Sequence, residues 1–285
     1  MDEIEHILKK PSMYIGSTFG VGKENVLFYK PSENKIVTVK TAIYIASLMK
    51  LIDEVFSNSV DERRRPTRLY DITEINVEIY KNGKIIIQDN GGIPIKPKKF
   101  KDKNIYLPKF LFGFLRTSSN YGERENVVGT NGIGAKIANI FSSSFKIETA
   151  DGVRKGKFEW ANNMRDYVNE EITTAKNKEH FSRFEFDIEL FRFDGITELN
   201  TTFARFVQKR CIDGAAANPG LKITFKTDIV ENNILDSEWK FDSFEDFVQL
   251  HLNDYEKQNL ISYKYSNGDV VSFFPGNEMH YSFVN

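Results

Sequence analysis

Gly129-Thr130-Asn131-Gly132-Ile133-Gly134-Ala135-Lys136, continued by Ile137-Ala138-Asn139-Ile140-Phe141, is the stretch on which the reading of this 285-residue chain turns. Glycines at 129, 132 and 134 let the backbone reach positive φ and approach a ligand closely. Asn131 tolerates the left-handed region better than most side chains. The run that follows reads as a helix, so N–H groups at its start and the positive end of its dipole offer an anion site. Lys136 adds a cation just inside that helix. The spacing is not G-x-x-x-x-G-K-[ST], because Ala135 separates the last glycine from Lys136. Nor is it followed by the acidic strand end of a dinucleotide fold. A glycine-rich turn alone is often only a turn, so the preceding residues decide.

Residues 41–62 carry the first long helical period, with Ile43, Ile45, Leu48, Leu51, Ile52, Val55 and Phe56 as the buried stripe. Glu54, Asn58 and Asp61 stand at i, i+4 and i+7, on one face of that helix. Such a face is usually just solvated. Glu54 and Asn58 border the apolar stripe, however, where buried polar groups need partners. A carboxylate beside an amide oxygen suits a magnesium ion and a positioned water. Further on, Ile85-Ile86-Ile87 reads as a buried strand that delivers Asp89-Asn90-Gly91-Gly92-Ile93-Pro94. A carboxylate there can accept a hydrogen bond deep in a pocket, with glycines leaving room for a flat ring. A plain Asp-Asn-Gly-Gly turn is the alternative.

Around these pieces the pattern predicts a short helix over 2–10 and strands over 26–30 and 35–39 around Pro31-Ser32-Glu33-Asn34. It also predicts a strand over 75–79, a basic loop over 96–103 and an apolar helix over 106–115. Strands follow over 145–149, 156–160 and 183–187, then a helix over 199–217 with Phe203, Phe206, Val207 and Cys211 inward, and a strand over 221–225. That order suits an α+β sandwich, with helices on one face of a mixed sheet. From about Glu238 the texture changes to a helix over 243–252 and strands over 261–265 and 269–274. This division gives one domain over 1–235 and the beginning of a second over 236–285, and the apolar end of the chain reads as a fragment of something longer.

The composition is 40% hydrophobic and 28% charged, and 39 basic residues against 40 acidic ones leave no basic excess for a large nucleic-acid surface. A single cysteine excludes an internal disulfide and a Cys-rich zinc site, and suits a reducing compartment. No apolar run approaches the length of a membrane span, and the charged start MDEIEHILKK is not a signal peptide.

Together the motifs resemble one family, the N-terminal ATPase region of type IIA DNA topoisomerases within the Bergerat (GHKL) superfamily, nearest its eukaryotic, viral and large-phage branch. EHILKKPSMYIGS resembles the opening of that branch, KLIDEVFSNSVDE its N-box helix and QDNGGIP its adenine motif. YLPKFLFGFLRTSSNY followed by VVGTNGIGAKIANIFSSSFKIETADG is the most specific match, and YSFVN resembles the entry to the transducer domain. The resemblance implies a Bergerat sandwich followed by the start of a transducer, with ATP and Mg2+ as cofactors. Glu54 is implied as general base, Asn58 as the magnesium ligand, and Asp61 as a brace between its helix and the nucleotide motif. Asp89 is implied as acceptor of the adenine amino group, with Gly91 and Ile93 in the same motif and Ser182 beside it. Ser118, Ser119 and Asn120 would contact ribose and phosphates. Gly129, Thr130, Asn131, Gly132, Ile133, Gly134, Ala135 and Lys136 would wrap the β- and γ-phosphates.

By the same resemblance ATP closes a homodimer that traps double-stranded DNA, inside an intracellular enzyme whose remaining domains or subunit lie elsewhere. The fragment alone is expected to turn over slowly or not at all. A mismatch-repair-type ATPase, a histidine kinase and a non-catalytic dimerising module are the alternatives on the same ATP fold. His6, His180, His251 and His280 lack a kinase context. Two departures stand out. The adenine motif is one residue short and lacks its basic residue, which leaves the ion pair to Asp61 in doubt. The N-terminal arm of the family is expected to be shortened or absent.

Overall fold

The computed structural model describes residues 2–100, 103–115, 134–229, 236–266 and 268–274. Helix α1 (Glu3–Lys9) starts on Asp2, whose carboxylate accepts from the Glu5 N–H at 2.6 Å. Strands β1 (Val21–Lys30) and β2 (Lys35–Tyr44) form an antiparallel hairpin closed by Asn34 at φ 48°. The hairpin is longer than its sequence suggests. Residues 41–44, expected to be helical, instead pair with Val21–Glu24, and Ile43, expected in the buried stripe, is 68% exposed. Thr41 and Ile43 are β-branched, and the pairing that decides their state comes from the preceding strand β1, which helical periodicity does not register.

Helix α2 (Ala46–Arg64) then buries Leu48, Leu51, Ile52, Val55 and Phe56 as its stripe predicts. Strands β3 (Glu74–Ile79) and β4 (Lys84–Asp89) pair antiparallel across a tight turn. The expected basic loop is a second small hairpin, β5 (Pro97–Phe100) with β6 (Lys103–Tyr106). Lys98 there lies 4.2 Å above the Phe110 ring. Next come α3 (Leu107–Gly113), α4 (Gly134–Ile140), β7 (Ser142–Asp151), β8 (Arg154–Ala161), β9 (Asp166–Thr174) and β10 (His180–Ile188). The sequence gives no sign of β9, because as an edge strand it keeps most of its residues exposed and carries no apolar alternation. The remaining elements are α5 (Thr201–Ala216), β11 (Lys222–Thr227), β12 (Ser237–Trp239), α6 (Phe244–Val248), α7 (Asp254–Gln258), β13 (Ile261–Lys264) and β14 (Val270–Phe273).

Eight strands make one sheet in the order β12-β11-β3-β4-β10-β7-β8-β9. Only β11 and β3 run parallel; every other neighbouring pair is antiparallel. Period-two alternation gives the sheet two different faces. One face carries Ile75, Val77, Ile85, Ile87, Phe145, Ile147, Phe184 and Phe186, all buried in a single core with α2, α4 and α5. The other carries ion pairs such as Lys84–Glu185 at 2.8 Å and Lys157–Glu159 at 2.7 Å. An α+β sandwich with helices on one face of a mixed, mostly antiparallel sheet is the architecture.

Phe206 packs against the main core and also meets the first hairpin, with ring centroids 4.9 Å from Phe28 and 4.8 Å from Tyr44. A sequence cannot reveal that α5 has a second apolar neighbour. The packing also runs across the expected division at 235/236. β12 pairs with β11, and Trp239, Phe241, Phe244 and Phe247 share the main core.

Candidate functional site

The sheet register builds the site. Two rows across the covered face are apolar, Ile79-Ile85-Phe186-Phe145-Trp160 and Val77-Ile87-Phe184-Ile147-Phe158. The next row reads Ile75-Asp89-Ser182-Thr149-Gly156. Polar side chains thus replace hydrocarbon at one end of these five strands, next to two rows that are apolar across the same strands. Asp89, Ser182 and Thr149 are all buried, so each must find hydrogen-bond partners.

Asp89 finds them on three sides. It accepts from Ser59 Oγ of α2 at 2.6 Å and from the Gly91 N–H at 2.9 Å. Burial pushes its carboxyl above the ordinary value, and hydrogen bonds from Ser59, Gly91, Gly92 and Ser182 oppose that rise. Thr149 Oγ1 accepts from the Ile93 N–H at 2.8 Å and donates to the Phe181 carbonyl at 2.9 Å.

The short Asp89–Pro94 turn is held from outside as well. Asn90 Oδ1 accepts from the Thr73 and Glu74 N–H groups at 3.0 and 3.2 Å, and Asn90 Nδ2 donates to Thr73 Oγ1 at 2.8 Å. His180 Nδ1 lies 2.6 Å from the Asn90 carbonyl, which accepts, so that nitrogen carries the proton. The His180 ring stacks on Tyr70 with centroids 4.0 Å apart and planes 10° from parallel. The missing residue therefore leaves no gap in the hydrogen bonding of the turn.

Gly92 sits at φ +96°, and a Cβ there would come 2.2 Å from the Ala150 carbonyl oxygen. The obstacle is backbone in the middle of the sheet, so it cannot swing aside. Gly92→Ala is expected to cost about 2–4 kcal/mol and to lower the midpoint of thermal unfolding by roughly 5–10 °C. Scanning calorimetry of the two chains checks this; an unchanged midpoint would mean that the turn relaxes freely.

The second half of the site is the contact between α2 and α4. Glu54, Asn58 and Asp61 do lie along one polar side of α2, with Glu54 and Asp61 half-buried and Asn58 exposed. Glu54 is paired with Lys50 one turn earlier. Its carboxylate also lies against the first residue of α4: a Cβ on Gly134 would fall 2.0 Å from Glu54 Oε2. Glycine at 134 is thus what allows the carboxylate to lie there. Two residues on, Lys136 is only 3% exposed, and burial pushes its ammonium down to about 8.

Asp61 does not reach the Asp89 turn; among the described residues no hydrogen bond joins them. Its carboxyl is raised first by burial, and its charged neighbours are Arg64, Arg65, Arg210 and Asp53. The direct contact from α2 to Asp89 belongs to Ser59 instead, and Glu62, one turn further along, feels the Asp89 charge. Ser118, Ser119, Asn120, Gly129, Thr130, Asn131, Gly132 and Ile133 lie outside the described residues, as does the side chain of Ala135.

Sequence reading missed Ser59, Thr149, Tyr70 and His180. Ser59 had a signal: it continues the buried stripe Leu48-Ile52-Val55 at helical spacing, a hydroxyl where an apolar residue belongs. Thr149 likewise continues the inward alternation of Phe145 and Ile147. Nothing local marks Tyr70 and His180.

No protein-family model matches the chain. Its sequence is 31% identical to the probable DNA topoisomerase 2 of Dictyostelium discoideum over 265 residues, 92% of the chain and 16% of that protein. It is 38% identical to DNA topoisomerase 2 of Meyerozyma guilliermondii over 197 residues, 68% of the chain and 14% of that protein. The chain thus spans about a sixth of the length of the curated relatives it matches. The structure is similar to the ATPase region of Saccharomyces cerevisiae topoisomerase II bound to ICRF-187 (dexrazoxane), with a TM-score of 0.80 and 30% identity, covering 97% of this chain and 71% of that one. It is also similar to the ATPase and transducer domains of DNA topoisomerase II from Balamuthia mandrillaris, with a TM-score of 0.82 and 27% identity over 98% of this chain and 68% of that one. With its motifs in order and its sandwich superposed along nearly the whole length, the chain belongs to the type IIA DNA topoisomerase family and matches that family's ATPase region.

Proposed function

We propose that this chain is the ATP-binding and ATP-hydrolysing gate of a type IIA DNA topoisomerase. Residues 1–235 would hold the nucleotide and residues 236–285 would lead into the transducer. One observation carries the reading most strongly: the Glu54 carboxylate rests in the space that Gly134 leaves open, at the point where the glycine segment enters α4. An ATP with its adenine on Asp89 and its phosphates at that entry would meet a carboxylate base at the terminal phosphate.

The chemistry follows from the parts. ATP hydrolysis demands positioning and charge neutralisation more than covalent catalysis. Asp89 accepts from the adenine amino group, and Ser182 and Thr149 supply polar neighbours in the same row. Glu54 takes a proton from the attacking water. Lys136 neutralises phosphate charge. The exposed amide of Asn58, one turn along α2 from Glu54, suits magnesium, which keeps most of its own waters and needs few protein oxygens. Magnesium when bound would neutralise the phosphates further. In the full-length protein, nucleotide binding would close two copies around double-stranded DNA inside the cell, and hydrolysis would reset them.

Calorimetric titration with a non-hydrolysable ATP analogue and magnesium, with light scattering to follow mass, tests this reading. Magnesium-dependent binding with a shift from monomer to dimer is expected. Absence of binding would sink it. Lys136 adds a pH signature. An ammonium held near 8 is partly neutral at mildly alkaline pH, and phosphate beside it restores the charge. Binding at pH 8–9 should therefore take up protons from the buffer, whereas at pH 6.5 the ammonium is already charged and uptake should vanish. Repeating the titration in buffers of different ionisation enthalpy reads this directly.

A further inference from the structure

The end of α2, the segment Arg68–Thr73 and the residues after α5 enclose a cleft of about 500 Å3. Its lining includes Arg63, Arg64, Arg68, Asp71, Thr73 and Asn218. Backbone and amide oxygens, and for Arg68 also the Asp71 carboxylate, hold the three guanidinium groups in place. Arg63 donates to the Ile72 carbonyl and, at 3.1 Å, to the Pro219 carbonyl. Arg64 donates to Asn218 Oδ1 at 3.2 Å and to the Ala217 carbonyl at 3.1 Å. Arg68 donates to the Arg65 carbonyl at 3.1 Å and to Asp71 Oδ1 at 2.6 Å.

Carbonyl oxygens orient a guanidinium without cancelling its charge. Asp71 is the one carboxylate among the lining residues, and Arg68 engages it. Among the described residues the lining thus carries three guanidinium groups against one carboxylate, and the hydrogen bonds of Arg63 go to backbone carbonyls. Burial lowers the pKa of Arg63; Asp71 opposes this, while Arg68 and Arg64 press it further down. Guanidinium forks fixed in position match phosphate oxygens in geometry as well as charge, and the volume admits more than one phosphate.

The cleft shares a wall with the nucleotide motif. Ile72, fully buried, stands against Gly91, where an added Cβ would lie 2.6 Å from Ile72 Cγ1. Thr73 holds Asn90 through both its N–H and its hydroxyl. Arg63 grips the Ile72 carbonyl from the cleft side.

We propose that this cleft binds a phosphate-bearing anion and that, through Ile72 and Thr73, its occupancy is coupled to ligand binding over the Asp89 turn. The coupling rests on the nucleotide reading above; the anion site does not. The test titrates inorganic pyrophosphate calorimetrically into the whole chain after saturation with the non-hydrolysable ATP analogue, so that the nucleotide site is already filled. Binding is expected, and Arg68→Gln should weaken it at least about tenfold while leaving the affinity for the analogue alone unchanged. Arg64→Gln serves as a second variant should Arg68→Gln misfold.

No pyrophosphate binding by the wild-type chain, or equal binding by both variants, overturns the site. If the analogue itself does not bind, the gate reading fails separately, and the variants are compared on the chain without nucleotide. Repeating the titration with a short DNA duplex identifies the source of the phosphate. Duplex binding that the same variants lose assigns nucleic-acid backbone; response to pyrophosphate alone assigns a free anion. Coupling predicts a severalfold change in analogue affinity when pyrophosphate is present, equal in both directions by linkage. An unchanged affinity overturns the coupling.

Discussion

Glu54→Gln should leave the affinity for a non-hydrolysable ATP analogue within about tenfold, roughly 1.4 kcal/mol, while reducing ATP hydrolysis by the full-length protein by about 10³-fold. Glutamine keeps the shape of glutamate and its place against Gly134 but has no basic oxygen. Binding energy that comes from Asp89 and the phosphate loop should survive, and proton abstraction should not. Gly134→Ala makes a useful companion. Its Cβ would come 2.0 Å from Glu54 Oε2, and the yielding group is the tip of a flexible side chain. The fold should tolerate it, yet hydrolysis should fall although Glu54 is intact. Steady-state turnover and analogue titration on both variants check this pair. Normal turnover in Glu54→Gln would remove Glu54 as the base.

Asp89→Asn is expected to weaken adenine nucleotides by roughly tenfold to a hundredfold, about 1.4–2.8 kcal/mol, with less effect on guanine nucleotides. The carboxylate accepts from Ser59 and Gly91, and an amide at that position must turn a donor toward donors. The same conflict faces the adenine amino group. Some loss of thermal stability should accompany the substitution, because Asp89 is 4% exposed and ties α2 to the sheet. Competition titrations with ATP and GTP analogues separate the two effects. An equal loss for both bases would contradict the adenine assignment and leave Asp89 as a structural tie alone.

The short Asp89–Pro94 turn shows where sequence reading stops. Its residues alone do not say what holds it closed. The structure closes the turn with Asn90 on Thr73, and with His180 stacked on Tyr70 and hydrogen-bonded to the Asn90 carbonyl. Those partners lie 17 and 90 residues away along the chain, beyond any local pattern. Asp61 teaches the converse. Its place on the polar face of α2 was legible, but the face alone did not say which neighbour it meets. Burial and the charges of Arg64 and Arg65 at the end of its own helix act on it before Arg210 of α5 does, whereas Ser59 on the adjoining face reaches Asp89.

By itself the sequence determined what local physics can encode. The stripe of α2 follows from helical period, and the alternation of β3, β7, β8 and β10 follows from the strand period of two. The turns follow from Gly, Asn and Pro, and the family follows from four motifs in order. Tertiary structure alone decided which of these pieces touch. It set the register that lines up Asp89, Ser182 and Thr149 in one buried row, and the approach of α4 that leaves Glu54 the space at Gly134. It extended β2 into residues that look helical, and it added the edge strand β9 that carries no apolar signal. The reason is the same in each case. Period and propensity act over a turn of helix or a few strand residues. Pairing energy and burial come from segments tens of residues away, and a buried polar group takes its meaning from the partner that satisfies it.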